Sequence, residues 1–342
     1  MKKYGVLLIG AGHIGLEHLM DIYYREDVRV IAVADSDAER AREAALRSGA
    51  ACFGTDYRPF LLRDDVDIVI IATYTRSHLS ILRDCLAAGK HVLCEKPIAV
   101  SLDEGRELVR LVKNAKTKVL IAHILRHNAS YKKIKELISE GKIGKPTLLR
   151  MTQNHHALNW ERYLRLMEDC SPVVDCGVHY FDIAEWLTGE KITEVSDFGT
   201  RTQPDAPRDN YALVNFKMSD GCSGYYEVGW GETLRSANEK EFIGTEGRIT
   251  LEMRDRRMQD TEEGDLITVY TKDGRKYEVL NLPTVYKNMY AQLEVLIDMI
   301  ETGAPGEPTI DDVWRAFSVA NAAVQSIEDR RPVSVDEFIS KQ

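Results

Sequence analysis

Tyr4-Gly5-Val6-Leu7-Leu8-Ile9 runs straight into Gly10-Ala11-Gly12-His13-Ile14-Gly15. An apolar run that ends in a GxGxxG predicts a buried strand, a tight turn and the start of a helix. Gly10 and Gly12 lack side chains, so the turn can be tight and the backbone can approach a pyrophosphate, while Gly15 lets the helix lie close to the strand. The helix N-terminus adds N–H groups and partial positive charge for phosphate. Asp35 stands 20 residues past Gly15, at the end of a second apolar run, Val28 to Ala34. An acid there accepts hydrogen bonds from an adenosine ribose and repels a 2′-phosphate, which favours NAD over NADP without excluding the latter. Arg40, one helical turn on, fits either an answer to such a phosphate or a solvated helix face.

Outward from this turn, apolar runs alternate with helical stretches as far as residue 122. The strand candidates are Tyr4 to Ile9, Val28 to Ala34, Val66 to Thr73, His91 to Glu95 and Lys118 to Ala122. Their near-continuous Val, Ile and Leu content suits strands covered on both faces, as parallel sheets require. Between them, Ile14 to Tyr24, Ala38 to Ser48, Ser77 to Ala88 and Leu102 to Asn114 are long enough to be crossover helices, with Ser101 and Glu104 as a capping-box start and Gly89 as a stop. The alternation predicts an α/β fold on an open, doubly wound sheet.

From residue 123 the pattern changes. Helices at Ser130 to Glu140 and Val173 to Leu187 flank a strand at Leu148 to Gln153. Strand-like segments then follow one another without helices: Glu194 to Thr200, Tyr211 to Met218, Ser223 to Trp230, Glu239 to Ile243, Arg248 to Met253, Leu266 to Thr271 and Lys276 to Leu280. Turns at Ser219-Asp220-Gly221 and Lys272-Asp273-Gly274 fit an antiparallel meander. Helices at Tyr286 to Thr302 and Ile310 to Asp329 end the chain and are free to pack back on its first part. The expected division is a cofactor domain at 1–122 and an α+β domain at 123–342 with a large, open, mostly antiparallel sheet, the site lying at their junction.

The 342 residues carry 45 Lys and Arg against 54 Asp and Glu, a net charge of −9, and 44% are hydrophobic. That hydrophobic share excludes wholesale disorder, and the length allows about two domains. The acid excess argues against nucleic acid, which is gripped by Lys and Arg neutralising phosphates. No run reaches the roughly 18 apolar residues of a membrane helix. Met1-Lys2-Lys3 before an apolar run imitates a signal peptide, but His13, Glu17 and His18 interrupt the run, and the reading is the first strand of a cytoplasmic protein. Cys52, Cys85, Cys94, Cys170, Cys176 and Cys222 show neither a CxxC pair nor a zinc spacing, which points to thiols in a reducing compartment and to no metal site.

Two further groups carry chemistry. Cys94-Glu95-Lys96-Pro97 closes the fourth strand candidate, and ligands of doubly wound sheets lie beyond the carboxyl ends of the strands. An ammonium at Lys96 would bind a substrate hydroxyl and favour its developing alkoxide. A lysine before a turn is equally ordinary on a surface. In Asp175-Cys176-Gly177-Val178-His179, with Asp182 following, helical spacing stacks Asp175 and His179 on one face. An imidazole beside a carboxylate suits a general base near neutral pH, although helical Asp/His pairs are also common as plain surface pairs.

Together, GAGHIG at Gly10 to Gly15, AGKHVLCEKP at Ala88 to Pro97 and DCGVHYFD at Asp175 to Asp182 resemble the Gfo/Idh/MocA family of sugar and cyclitol oxidoreductases, named for glucose-fructose oxidoreductase and inositol dehydrogenase. The likeness extends over nearly the whole chain, through GKIGKP at Gly141 to Pro146 and GTEGRITL at Gly244 to Leu251. It implies a Rossmann domain followed by a mixed domain whose open sheet commonly joins subunits, hence a homo-oligomer, dimer or tetramer. It also implies that Lys96, Asp175 and His179 match the family's catalytic Lys, Asp and His. His179 would take the hydroxyl proton while hydride leaves the same carbon for the nicotinamide, Lys96 would polarise the oxygen, and Asp175 would orient substrate or imidazole.

The cofactor positions implied are Gly10, Gly12, His13, Ile14, Gly15, Asp35, Ser36, Thr73, Tyr74, His78, Glu95 and Lys96. The substrate positions are Lys96, Arg126, His155, Trp160, Asp175 and His179. In Thr73-Tyr74-Thr75-Arg76-Ser77-His78, Tyr74 replaces the family's usual proline, so a different loop backbone is expected. His127 stands where Arg126 would usually be followed by Phe or Tyr, which bears on the substrate. His155 to Tyr163 is polar and aromatic in the manner of a sugar pocket, and reads equally as an exposed loop.

The leading expectation is an NAD-dependent dehydrogenase acting on a secondary hydroxyl of a sugar, sugar derivative or cyclitol. The alternative on the same scaffold is a redox-neutral enzyme that cleaves glycosides by transient oxidation and elimination. A third reading is a sugar and NAD sensor without turnover, which the presence of Lys96, Asp175 and His179 opposes.

Overall fold

Tyr4–Ile9 (β1), Val28–Ala34 (β2), Cys52–Gly54 (β3), Ile68–Ile71 (β4), His91–Cys94 (β5) and Val119–Ile121 (β6) pair in the order β3-β2-β1-β4-β5-β6, every pair parallel. The computed structural model in which they are seen describes residues 3–253, 264–273, 277–282 and 287–341. Met1, Lys2, Gly274, Lys276 and Tyr286, each used in a sequence reading above, lie outside the described residues. The chain divides into two compact units, Met1–Ile124 with Lys287–Trp314, and Leu125–Tyr286 with Arg315–Gln342.

In the first unit the Val, Ile and Leu of β1 and β4 are fully buried, as the unbroken apolar runs predict. β3 was not legible: Cys-Phe-Gly is three residues long and sits at the sheet edge with Phe53 half exposed, so it carries no apolar run. The chain builds from β1 to one side, then returns to build the other side from β4. The loops after these two strands therefore diverge and open the crevice in which doubly wound sheets bind ligands. Ala72 N donates to Ile9 O at 2.8 Å, so the two loop origins lie side by side. Helix Met289–Thr302 belongs to this unit. Its Leu293 and Leu296 share a core cluster with Leu8, Leu93 and Leu120, and Met289 N donates to Asp21 at 2.8 Å.

The second unit is built on a nine-stranded sheet of Pro146–His156 (β7), Ile192–Thr200 (β8), Tyr211–Met218 (β9), Ser223–Gly231 (β10), Ala237–Gly244 (β11), Gly247–Glu252 (β12), Asp265–Thr271 (β13), Tyr277–Leu282 (β14) and Val333–Ser334 (β15). The order is β14-β13-β12-β11-β7-β10-β9-β8-β15, antiparallel throughout except for the β7/β10 pair. Alternation sets the two faces. Leu149, Met151, Phe216, Tyr226, Val228 and Phe242 are buried on one, where Tyr180 and Phe181 of helix Gly177–Thr188 pack their rings on Tyr226 and Phe216. The other face is polar and carries a cleft of about 680 Å³ lined by Thr152, Asn154, Tyr211, Tyr225, Glu227 and Glu239 among others. None of the six cysteines is in a disulfide, and among the described residues no helix is long and apolar enough to cross a membrane.

Candidate active site

The three glycines of the first turn are needed for three different reasons. Gly10 has a positive φ of 96°, and a Cβ there would lie 2.5 Å from Ala72 O. A Cβ on Gly15 would lie 1.9 Å from Gly10 O, so helix His13–Ile22 packs on its own turn. Around Gly12 nothing stands within 4 Å of a Cβ, and no side chain caps the helix that starts there. By contrast Asp37 and Ser101 cap the helices Ala38–Ser48 and Leu102–Asn114 with their side chains. An uncapped helix start over open space is a seat for an anion supplied from outside. Asp35, 9% exposed, accepts from Ala11 N at 2.8 Å, from Asp37 N at 2.9 Å and from the Arg40 guanidinium at 3.0 Å. The turn and the acid thus meet as the spacing predicts, and Arg40 pairs with that acid while remaining half exposed. Glycine turn, bare helix end and acid together fit a dinucleotide. Ser36 lies exposed just beyond Asp35.

The expected cofactor residues of the neighbouring loops fall into two groups. Thr73 and Tyr74 lie at the surface end of β4. Tyr74 has φ −65° and ψ 146°, the value of φ that a proline would impose, so the loop keeps that backbone without the proline. His78 and Glu95 are tied into the protein. The His78 ring is fully buried, with Nδ1 2.9 Å from Pro97 O and Nε2 3.1 Å from Thr73 O. Glu95 Oε1 lies 2.8 Å from Nε2 of His18, a buried residue that sequence reading treated only as an interruption of the first apolar run. Its signal is its place three residues after Gly15, on the helix face turned to the sheet. Burial pushes the Glu95 carboxyl up, but the hydrogen bond and charge of His18, with Lys96 and Lys287 beyond, hold it below the ordinary range overall. Lys287 in turn bonds Glu17 at 2.9 Å, and Glu17 bonds His13 at 3.0 Å.

In the second unit, Asp175 and His179 lie on one helical run that tightens between them. Pro172–Asp175 forms the first turn, Cys176 continues it with φ −92° and ψ −37° and donates to Pro172 O at 3.0 Å, and Gly177–Thr188 carries on. His179 N donates to Cys176 O at 3.1 Å, and both Asp175 and His179 are partly exposed. A Cβ on Gly177 would lie 2.9 Å from the Phe181 ring, which explains the glycine between the two polar residues. Arg126 is committed within the protein. Its Nε and one terminal nitrogen bond both carboxylate oxygens of Asp182 at 2.8 and 2.6 Å, with side-chain exposures of 7% and 2%. Asn128 caps helix Ala129–Ser139, and His127 is buried.

His155 to Tyr163 is not a loop. β7 runs through His156, and Asn159 caps helix Trp160–Asp169. His155 Nδ1 lies 3.2 Å from Tyr163 Oη, and the Tyr163 ring leans on Trp230. Trp160 donates its indole N–H to Asp205 at 2.8 Å. Lys240 was not foreseen, since a lysine in a strand reads as solvated. It is buried beside Tyr180, donates to Thr152 O at 2.9 Å, and burial drives its pKa well below the ordinary lysine value.

A doubly wound sheet with an uncapped glycine turn and an acid beside that turn defines a protein of the Rossmann type, suited to a dinucleotide. Comparison with known proteins narrows this. Residues 4–123 match the model of the Gfo/Idh/MocA oxidoreductase family with its NAD-binding Rossmann fold, and residues 131–250 match the model of that family's C-terminal domain. Inositol 2-dehydrogenase 4 of Saccharopolyspora erythraea is 31% identical over 242 residues, 68% of this chain and 70% of that protein. Myo-inositol 2-dehydrogenase of Thermotoga maritima is 26% identical over 338 residues, 97% of this chain and 98% of that protein. The solved structure of a candidate myo-inositol dehydrogenase of Sinorhizobium meliloti is similar with a TM-score of 0.80 at 25% identity, covering 97% and 99% of the two chains. The chain belongs to the Gfo/Idh/MocA family and is an oxidoreductase whose first unit is an NAD-binding Rossmann domain.

Proposed function

We propose that this oxidoreductase oxidises a secondary hydroxyl of a sugar, sugar derivative or cyclitol, with His179 as general base and Lys96 and Asp175 assisting. The observation that carries the reading is that Asp175 and His179 stand partly open at the head of a helix otherwise mostly buried on the sheet. The inositol dehydrogenases among the relatives support a cyclitol or sugar. The turn at Gly10 to Gly15 and Asp35 would hold NAD, which supplies the hydride acceptor when bound. His179 removes the hydroxyl proton as hydride leaves the same carbon, so the products are a ketone and a protonated imidazole. Lys96 donates to the carbinol oxygen. Negative charge on that oxygen grows toward the transition state, so the ammonium binds the transition state more tightly than the alcohol. Asp175 orients the imidazole or a neighbouring hydroxyl and supports the imidazolium.

The test is a panel of cyclitols and sugars with NAD, read by NADH absorbance. His179→Ala should abolish turnover and leave NAD binding intact; activity that survives removes His179 from the reaction. Release of aglycone from aryl glycosides without net NADH would instead show the redox-neutral enzyme. A homo-oligomer joined through the open polar face of the second unit's sheet belongs to the same reading.

A further inference from the structure

Lys96 stands between two residues that buried imidazoles hold. On its N-terminal side, Glu95 Oε1 is 2.8 Å from His18 Nε2; on its C-terminal side, Pro97 O is 2.9 Å from His78 Nδ1. His18 comes from the helix of the glycine turn, and His78 opens the helix that follows β4. The second nitrogen of His78 lies 3.1 Å from Thr73 O; a neutral ring donates its single N–H to one of these two carbonyls, and a protonated ring donates to both. Glu95 reinforces the arrangement from its other oxygen, which accepts from Lys96 N at 3.4 Å. Both rings are almost wholly shut off from solvent. A buried imidazole is costly unless its nitrogens are satisfied, and here the partners are the residues immediately before and after one lysine. A lysine has a flexible four-carbon stem, so the placement of its ammonium depends on how firmly its own backbone is held.

We propose that His18 and His78 are positioning residues for Lys96, fixing its backbone from both sides so that the ammonium meets the substrate oxygen in one place. The inference rests on the reading of Lys96 given above. It predicts a specific pattern of loss, because a group that acts only through Lys96 has nothing left to do once that ammonium is gone.

The experiment is a double-mutant cycle. His18→Leu and His78→Leu are each made alone and on Lys96→Ala, with kcat, KM and the NADH dissociation constant measured for all. Each single variant should lower kcat by about tenfold to a hundredfold, the cost of misplacing a reacting group by a fraction of an ångström to one ångström. For His18→Leu, NADH affinity should stay within about twofold, below the 1.4 kcal/mol that a tenfold change represents; His78→Leu also frees the Thr73 loop, so for it the coupling to Lys96→Ala in kcat is the deciding readout. On Lys96→Ala, neither substitution should lower kcat further. His18→Gln, which keeps an N–H for Glu95, should recover most of the loss. If a leucine variant does not fold, His18→Gln and His78→Gln run the same cycle, and their smaller losses should vanish on Lys96→Ala. Unchanged kcat in the histidine variants, or losses that multiply with that of Lys96→Ala, overturn the inference while leaving Lys96 in the reaction. Full activity in Lys96→Ala removes Lys96 itself and overturns both.

Discussion

Asp197 on β8 is 8% exposed, and its two oxygens are treated unequally. Oδ1 accepts from Asn215 N at 3.0 Å, whereas Oδ2 is buried with no partner among the described residues. Burial pushes the carboxyl up to about 8, against the downward pull of backbone hydrogen bonds from Asn215 and Ser196. The folded state therefore keeps a proton that the unfolded chain releases above its ordinary value near 3.8. Stability should fall as pH rises from there to about 8 and then level off. Asp197→Asn should flatten that slope, with a gain in melting temperature that is largest at pH 8; a gain independent of pH would show that Asp197 titrates normally. The Arg126–Asp182 pair is buried as two paired charges. Removing either partner strands a buried charge, and Asp182→Ala should cost about 3–5 kcal/mol in chemical denaturation. Neither pairing was legible in the sequence. Residue types and spacing showed Asp35 at the glycine turn because both belong to one βαβ unit, the turn after its first strand and the acid after its second. They could not show that Glu95 meets His18, or Arg126 meets Asp182, because those contacts join residues 77 and 56 positions apart.

At the scale of elements, the glycine turn separates binding from folding. Gly12→Val meets open space, so it should leave the melting temperature almost unchanged and abolish NAD binding in calorimetry. Gly15→Ala drives a methyl into Gly10 O and should lower the melting temperature whether or not cofactor is present. Equal loss of stability in both variants would mean that Gly12 is also packed. Buried parallel strands were the most legible elements, since their runs of Val, Ile and Leu have no other reading in this alternation. The segment after His155 misled because polar and aromatic residues look loop-like, whereas their helical spacing continues once Asn159 has capped the helix. The tightening after Cys176 leaves no trace in the sequence, because Asp175 and His179 keep a helical interval across it.

For the whole molecule, the polar sheet face of the second unit carries the subunit reading. Leu213→Arg combined with Tyr225→Arg on that face should convert an oligomer to single chains in light scattering, with NAD affinity unchanged. An unaltered mass places the interface elsewhere. The first unit is assembled from two separated pieces of sequence, and Leu293 and Leu296 of the second piece are fully buried against the first. A fragment of residues 1–124 should lack a cooperative melt, and joining 287–314 to it through a flexible linker should restore one. The order of synthesis then matters. A ribosome has made most of the chain before helix Met289–Thr302 exists, and until then the part of the sheet at β5 and β6 that this helix covers stands open. A premature stop anywhere before residue 287 therefore leaves an unfinished cofactor unit rather than a small NAD-binding protein.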